Sequence, residues 1–162
     1  MLQNKENTIL FLIGFMGVGK SFWGPKLSKA LNYLYLDSDN EIEFLEKKTI
    51  IEIFNTQGEG HFRELERKFI NDFRNTNCVV SLGGGFPIYN NNMELLNQKG
   101  TTIYIEEPFD ICFKRIKESK RPLVSSEKNL KELYEKRLPI YRKAQFVVKS
   151  PNLIEDFIKL LN

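Results

Sequence analysis

The chain has little with which to bind a metal or staple itself: one histidine, His61, and two cysteines, Cys78 and Cys112, in 162 residues. The cysteines stand far apart and form neither a CxxC pair nor a metal-ligand spacing. They read as buried free thiols in a reducing compartment. Charge of one sign is also scarce. A formal net charge of +3, with basic residues spread along the chain, is no footprint for nucleic acid, though it leaves room for a locally basic cleft that takes a small anion. No apolar run is long enough to span a bilayer. The run Ile9–Ile13 gives way to glycines and Lys20 without a small-residue cleavage site, so it is not a signal peptide, and a cytoplasmic location is expected. Six prolines and ten glycines are too few for a disordered or fibrous chain, and there is no repeat or low-complexity tract. What is left is an ordinary globular composition, 41% hydrophobic and 28% charged, at a length that suits one domain over residues 1–162.

Five short apolar, β-branched or aromatic runs are present: Thr8–Ile13, Tyr33–Leu36, Val79–Leu82, Thr102–Ile105 and Phe146–Val148. They are continuous rather than alternating, as strands buried on both faces of a parallel sheet should be. Helical patterns separate them, so a layered α/β domain is expected. Thr49 and Glu52 form a capping box, and Gly58 supplies a stop after Ile50–Phe54. Ser150 and Pro151 make an N-cap and first-turn pair. The segment they open puts Ile154, Phe157, Ile158 and Leu161 on one face. The stretch Lys117–Lys128 is polar, with Arg121-Pro122 near its middle. It reads as a surface loop or as a lid that closes over a ligand.

Gly14-Phe15-Met16-Gly17-Val18-Gly19-Lys20-Ser21 satisfies the P-loop pattern G-x-x-x-x-G-K-[ST]. An apolar strand candidate precedes it and a helical pattern follows. Glycines let the backbone approach phosphates closely, and successive amides at a helix N-terminus then face the anion. The nucleotide-binding set expected here is Gly17, Val18, Gly19, Lys20, Ser21 and Phe22. Lys20 would reach the β- and γ-phosphates, and the Ser21 hydroxyl would bind Mg²⁺. Pro25 sits early in the following helix, where its missing N–H leaves the Ser21 carbonyl without its usual partner. No [NT]-K-x-D tetrapeptide is present to read guanine, which argues against a GTPase.

Four further pieces occur in order: Asp37-Ser38-Asp39 after the second strand candidate, Phe62-Arg63-Glu64-Leu65-Glu66, Gly83-Gly84-Gly85 at the end of the third, and Arg137-Leu138-Pro139-Ile140-Tyr141. Each is weak alone. Asp37-Ser38-Asp39 passes for a helix N-cap, Arg63 and Glu66 for a surface ion pair, and three glycines for a turn. As an ordered set, with Arg121-Pro122-Leu123, they resemble the shikimate kinase family from about Ile9 to Val148.

That resemblance implies a three-layer α/β/α, nucleoside-monophosphate-kinase-like domain. Its five-stranded parallel sheet would have order 2-3-1-4-5, with a substrate-binding subregion at about 38–66 and a mobile lid at about 117–128. It implies ATP and shikimate as substrates, Mg²⁺ as cofactor, a monomer, and neither nucleic acid nor membrane as partner. Arg63 and Arg137 would grip the shikimate carboxylate through paired N–H groups, with Glu66 orienting Arg63. Gly83, Gly84 and Gly85 would present backbone amides to the substrate. Asp39 would accept from the reacting hydroxyl, and Asp37 would hold Mg²⁺ through a water, with Ser81 near that water shell. Arg121 would arrive with the lid as a catalytic cation, beside Lys20 and Asp39, and Arg115 would stack on adenine.

The chain departs from the family pattern in places. Phe22-Trp23 stands where a threonine and a small aliphatic residue are usual, the segment Lys149–Asn152 is short on the adenine side, and His61 has no counterpart role. Two alternatives stay open on the residues alone: a related kinase for gluconate or a nucleoside monophosphate, and a nucleotide-binding regulator without catalysis.

Overall fold

The structure, a computed structural model, describes residues 8–119 and 125–149 together with Glu155 and Phe157. Arg121, and the expected cap at Ser150-Pro151, lie outside the described residues. The elements run β1 (Ile9–Ile13), α1 (Lys20–Leu31), β2 (Leu34–Asp37), α2 (Ser38–Glu46), α3 (Ile50–Asp72), β3 (Cys78–Ser81), a 3-10 turn (Phe86–Ile88), α4 (Asn92–Lys99), β4 (Thr101–Glu106), α5 (Phe109–Glu118), α6 (Glu127–Tyr141) and β5 (Phe146–Lys149). All five strand expectations hold to within a residue or two.

The strands form one sheet of order β2-β3-β1-β4-β5, every neighbouring pair is parallel, and helices cover both faces. Central β1 and β3 are the most apolar strands because they have no solvent face: Leu10–Ile13 and Cys78–Ser81 are buried throughout. The edges are less protected, with Leu34 of β2 and Val147 of β5 exposed. The main core runs from β1, β3 and β4 to Leu27, Ile70, Cys112 and Tyr141. Phe157 packs edge-on against Phe146. Both cysteines are free and buried, as expected. Among the described residues no helix is long and apolar enough to cross a membrane.

Parallel pairing points all the strand C-termini the same way, so the segments after β1, β2 and β3 emerge side by side. Asp37 pairs with Ser81 in register, and Ser81 with Leu12. The P-loop, the Asp37–Asp39 turn and the glycine run therefore leave one edge of the sheet together.

Local signals account for the helix starts. Thr49 and Glu52 close a capping box at α3, and Ser126 caps α6. Two expectations change. Gly58 does not end the helix: α3 continues to Asp72, with Gly58 at φ 83° and ψ 167° as a kink. The helix resumes because a single glycine absorbs the left-handed step and Phe62, Glu66 and Ile70 restore a buried stripe behind it. The polar stretch 117–128 is narrower than expected, since Lys117 and Glu118 belong to α5, and Glu127 and Lys128 to α6. Exposed helix ends are as polar as loops.

Gly24 lets α1 lie close on the sheet. A β-carbon there would overlap Tyr35 Cε2 and stand 2.9 Å from Ser81 Oγ. Gly24→Ala should therefore lower stability by about 1–3 kcal/mol, the cost of an overpacked core, despite alanine's better helix propensity. Urea unfolding tests this, and an unchanged midpoint would mean that the Tyr35 ring moves aside freely.

Candidate active site

The P-loop spans the gap from β1 to α1. At φ 82° Gly17 takes the left-handed conformation, and a β-carbon there would press within 2.6 Å of the Cys112 carbonyl oxygen. Helix α1 starts at Gly19 with no side-chain cap and no acidic residue in its first turn. Its free amides and positive dipole end are therefore left for an anion. Lys20 folds back over the loop and donates from Nζ to the carbonyls of Gly14 (2.7 Å) and Phe15 (3.0 Å). Burial pushes the Lys20 ammonium down to about 8, against the attraction of Asp39. An arriving phosphate would restore the charge that burial disfavours.

The three consecutive glycines are the meeting point of the cleft. A β-carbon at Gly83 would come within 2.9 Å of Asp39 Oδ1 and 3.2 Å of Glu66 Oε1. At Gly84 it would stand 3.5 Å from Arg137 Nη1, 3.4 Å from the Gly14 carbonyl oxygen and 3.6 Å from the Met16 amide nitrogen. At Gly85 it would overlap Arg63 Nη2 and lie 2.6 Å from Arg63 Cζ. Three missing side chains thus admit two carboxylates, two guanidinium groups and the start of the P-loop around one strand end. Arg63 and Arg137 thus stand against the same glycine run that Gly14 and Met16 of the P-loop approach.

Arg63 is held from two sides. Its Nη1 donates to Glu66 Oε2 at 2.7 Å, while Nε and Nη2 reach Glu59 Oε1 at 3.3 and 2.9 Å. Glu59 is largely exposed, whereas Glu66 is fully buried, so the inner pair fixes the guanidinium. Burial pushes the Glu66 carboxyl up to about 7, with Arg63 pulling it down and Asp39 adding to the rise. Its Oε1 has no hydrogen-bond partner among the described residues. On the other wall, Arg137 sits over the Phe15 ring, and its charge acts on the Tyr141 hydroxyl. The Tyr141 hydroxyl in turn donates to the Gly84 carbonyl at 2.6 Å.

Asp37 closes the floor. It caps α2 with one carboxylate oxygen, accepting from the amides of Asp39 (3.0 Å) and Asn40 (3.3 Å). Buried Ser38 accepts from the Gly83 amide at 3.2 Å, which ties α2 to the glycine run. Ser81 is buried and donates to the Lys20 carbonyl at 3.2 Å. Arg115 donates to the carbonyls of Gly17 (3.1 Å) and Val18 (3.4 Å) and pairs with Glu107 at 3.2 Å, clasping α5 to the P-loop. Ser21 is exposed, and Phe22 is 57% exposed with Lys26 Nζ over its ring at 3.9 Å. Trp23 packs partly against the main core. His61, half-buried on α3, is two residues from Arg63.

Four neighbours of these groups were not singled out from the sequence. Glu59 was within reach of the i,i+4 rule. Tyr35 and Tyr141 act through contacts that span tens of residues, Glu107 reaches Arg115 across eight, and the sequence marks none of these roles, although Tyr141 closes the Arg137 motif.

A strand–P-loop–helix unit on a five-stranded parallel sheet, with two arginines gathered at the glycine run beside the loop, defines a P-loop kinase of small molecules. The sequence profile of the shikimate kinase family matches residues 16–158. A shikimate kinase from Clostridium botulinum (strain Loch Maree / Type A3) is 41% identical, covering 96% of this chain and 94% of that protein; one from Persephonella marina is 40% identical, covering 92% and 95%. Among solved structures, the shikimate kinase of Acinetobacter baumannii in complex with shikimate superposes with a TM-score of 0.87 at 31% identity, covering 96% of this chain and 93% of that one. That of Aquifex aeolicus gives 0.85 at 35%, covering 95% and 96%. The chain belongs to the shikimate kinase family.

The buried carboxyl of Glu66 makes a pH prediction. Its pKa is about 7 in the fold against 4.5 when solvated, so the folded protein binds more protons between those values and loses stability as pH rises from about 4.5 to about 7. Glu66→Gln should flatten this slope. Chemical unfolding of the ligand-free protein across that range reads it, and parallel profiles for the two proteins would mean that Glu66 does not titrate there.

Proposed function

We propose that this protein is a shikimate kinase, which transfers the γ-phosphate of ATP to the 3-hydroxyl of shikimate and releases shikimate 3-phosphate and ADP, a step in aromatic amino acid biosynthesis. The observation that carries the reading is the convergence of Arg63, Arg137 and the P-loop on Gly83–Gly85. A ring bearing one carboxylate and several hydroxyls suits such a cleft, because paired guanidinium groups match a carboxylate and leave the hydroxyls for acceptors.

In this reading Arg63 and Arg137 bind the substrate carboxylate, and Gly83, Gly84 and Gly85 bring backbone close to the ring. Asp39 accepts from the reacting hydroxyl and is placed to take its proton. The amides of Gly17, Val18, Gly19 and Phe22 cradle the polyphosphate, and Lys20 leaves its loop carbonyls to follow the charge that develops on the transferred group. Arg115 lies against adenine, and Arg121 completes the cation set from a lid within 117–128. The subregion 38–66 holds the acid side of the cleft, all within one kinase unit over 1–162.

The donor set suits Mg²⁺. Ser21 offers a hydroxyl, and Asp37, whose charge reaches Lys20, offers a carboxylate oxygen beyond the one spent on its cap. In this reading the ion is shared with phosphate oxygens. Ser21 would hold it directly and Asp37 through a water. The ion, when bound, neutralises phosphate charge. The reading includes a cytoplasmic monomer with no nucleic-acid or membrane partner.

A coupled ADP-release assay over shikimate, gluconate and nucleoside monophosphates tests the substrate: turnover with shikimate alone is expected, and turnover with gluconate alone would overturn the proposal. Arg63→Ala should raise the shikimate dissociation constant by about tenfold to a hundredfold, the range for a lost charged hydrogen bond, with nucleotide affinity unchanged. Equal loss of both ligands would point to unfolding. Lys20→Ala should instead lower kcat by about a hundredfold to a thousandfold, as for one removed transition-state donor.

A further inference from the structure

Glu107 is a buried carboxylate that the proposed reaction does not use. It follows β4 and is held at both ends. Its carbonyl accepts from the Tyr134 hydroxyl of α6 at 2.8 Å, and its carboxylate accepts from Arg115 Nη2 at 3.2 Å. Arg115 Nη1 then donates to the Gly17 and Val18 carbonyls of the P-loop, at 3.1 and 3.4 Å. Gly17 makes this reach possible, because it has no β-carbon to push away the Cys112 carbonyl, one turn before Arg115 on α5. Across a trans peptide the C=O and the next N–H point opposite ways. Carbonyls of Gly17 and Val18 that face α5 therefore leave the Val18 and Gly19 amides facing away from it.

We propose that Glu107 is a positioning residue for the phosphate site: through Arg115 it holds the Gly17 and Val18 carbonyls towards α5 and so turns the Val18 and Gly19 amides into the loop, where a polyphosphate would lie. The inference rests on the reading of this loop as a polyphosphate cradle. The Val18 amide spends only a long bond, 3.4 Å, on the Phe15 carbonyl, and a bond of that length yields readily to an anion. The Arg115 side chain is 42% exposed, so without its anchor it is free to swing off the carbonyls. A guanidinium suits the task because its fork serves a carboxylate on one side and carbonyls on the other. The sign of the effect sets this role apart from plain electrostatics. A negative charge near an anion site should weaken binding, whereas Glu107 as a positioning group strengthens it.

The experiment titrates inorganic tripolyphosphate, ADP and shikimate into each protein by calorimetry, alongside thermal unfolding. Glu107→Gln keeps the shape of the side chain and removes its charge. Arg115→Lys keeps the charge and removes the fork. Each should weaken tripolyphosphate and ADP by a common factor of about threefold to tenfold, the worth of one hydrogen bond, with shikimate affinity and melting temperature near wild type. The combined variant should bind no more weakly than Arg115→Lys alone, because both changes act through one guanidinium. Tripolyphosphate bound by Glu107→Gln as tightly as by wild type, or more tightly, would overturn the role of Glu107. ADP weakened with tripolyphosphate unchanged would do the same and leave Arg115 a contact of the base alone. Equal loss of shikimate and tripolyphosphate with a lower melting temperature would mean that the pair serves only the fold. A wild type that binds neither tripolyphosphate nor ADP would sink the cradle reading itself, and this inference with it.

Discussion

The absence of three side chains is the constraint on which the cleft depends. Arg63, Arg137, Asp39 and Glu66 come from α3, α6 and α2, and all need the volume beside Gly83–Gly85. A β-carbon at Gly83 would press on Asp39 and Glu66, and one at Gly85 on Arg63, while at Gly84 it would only touch Arg137. The space is worth the conformational cost of three glycines because it puts two guanidinium groups and two carboxylates within reach of a phosphate loop. The charges then hold one another: Arg63 keeps buried Glu66 tolerable, and Glu66 keeps Arg63 aimed.

The sheet turns that local constraint into a site. Parallel strands in the order β2-β3-β1-β4-β5 send the loops after β1, β2 and β3 out of the same edge. The P-loop is in turn gripped from outside its own turn. Lys20 holds it from within, Arg115 and Glu107 clasp it to α5, and Ser81 pins the carbonyl of Lys20 to β3. A loop fixed at several points is a preorganised anion site.

Most of this frame was legible in the residues. The strands announced themselves because a doubly covered parallel strand has no polar alternation to hide behind, and the capping box at Thr49 named a helix start by its own chemistry. Gly58 was harder. A glycine that ends a helix and one that kinks it have the same sequence, and only the buried stripe beyond it, Phe62, Glu66 and Ile70, decides for the kink. The ends of the polar stretch were misjudged because Lys117 and Lys128 are as polar on a helix as in a loop. In the site, the ordered motifs pointed to the principal side chains, but not to what orients them. Tyr35 looked like one more apolar strand residue, and Tyr141 like the tail of a motif. Their hydroxyls matter only once β2 lies under α1, and α6 beside the glycine run.

The kink at Gly58 divides labour along α3. Before it, Ile53 packs with Ile42 of α2 in a small cluster of its own, which Phe62 completes from beyond the kink; after it, Ile70 belongs to the main core under the sheet. Arg63 stands on the sheet's side of the break. Small clusters open at lower cost than the body they adjoin. The part of α3 before the kink is therefore free to loosen with its small cluster, while the Arg63–Glu66 pair stays with the half that reaches the main core.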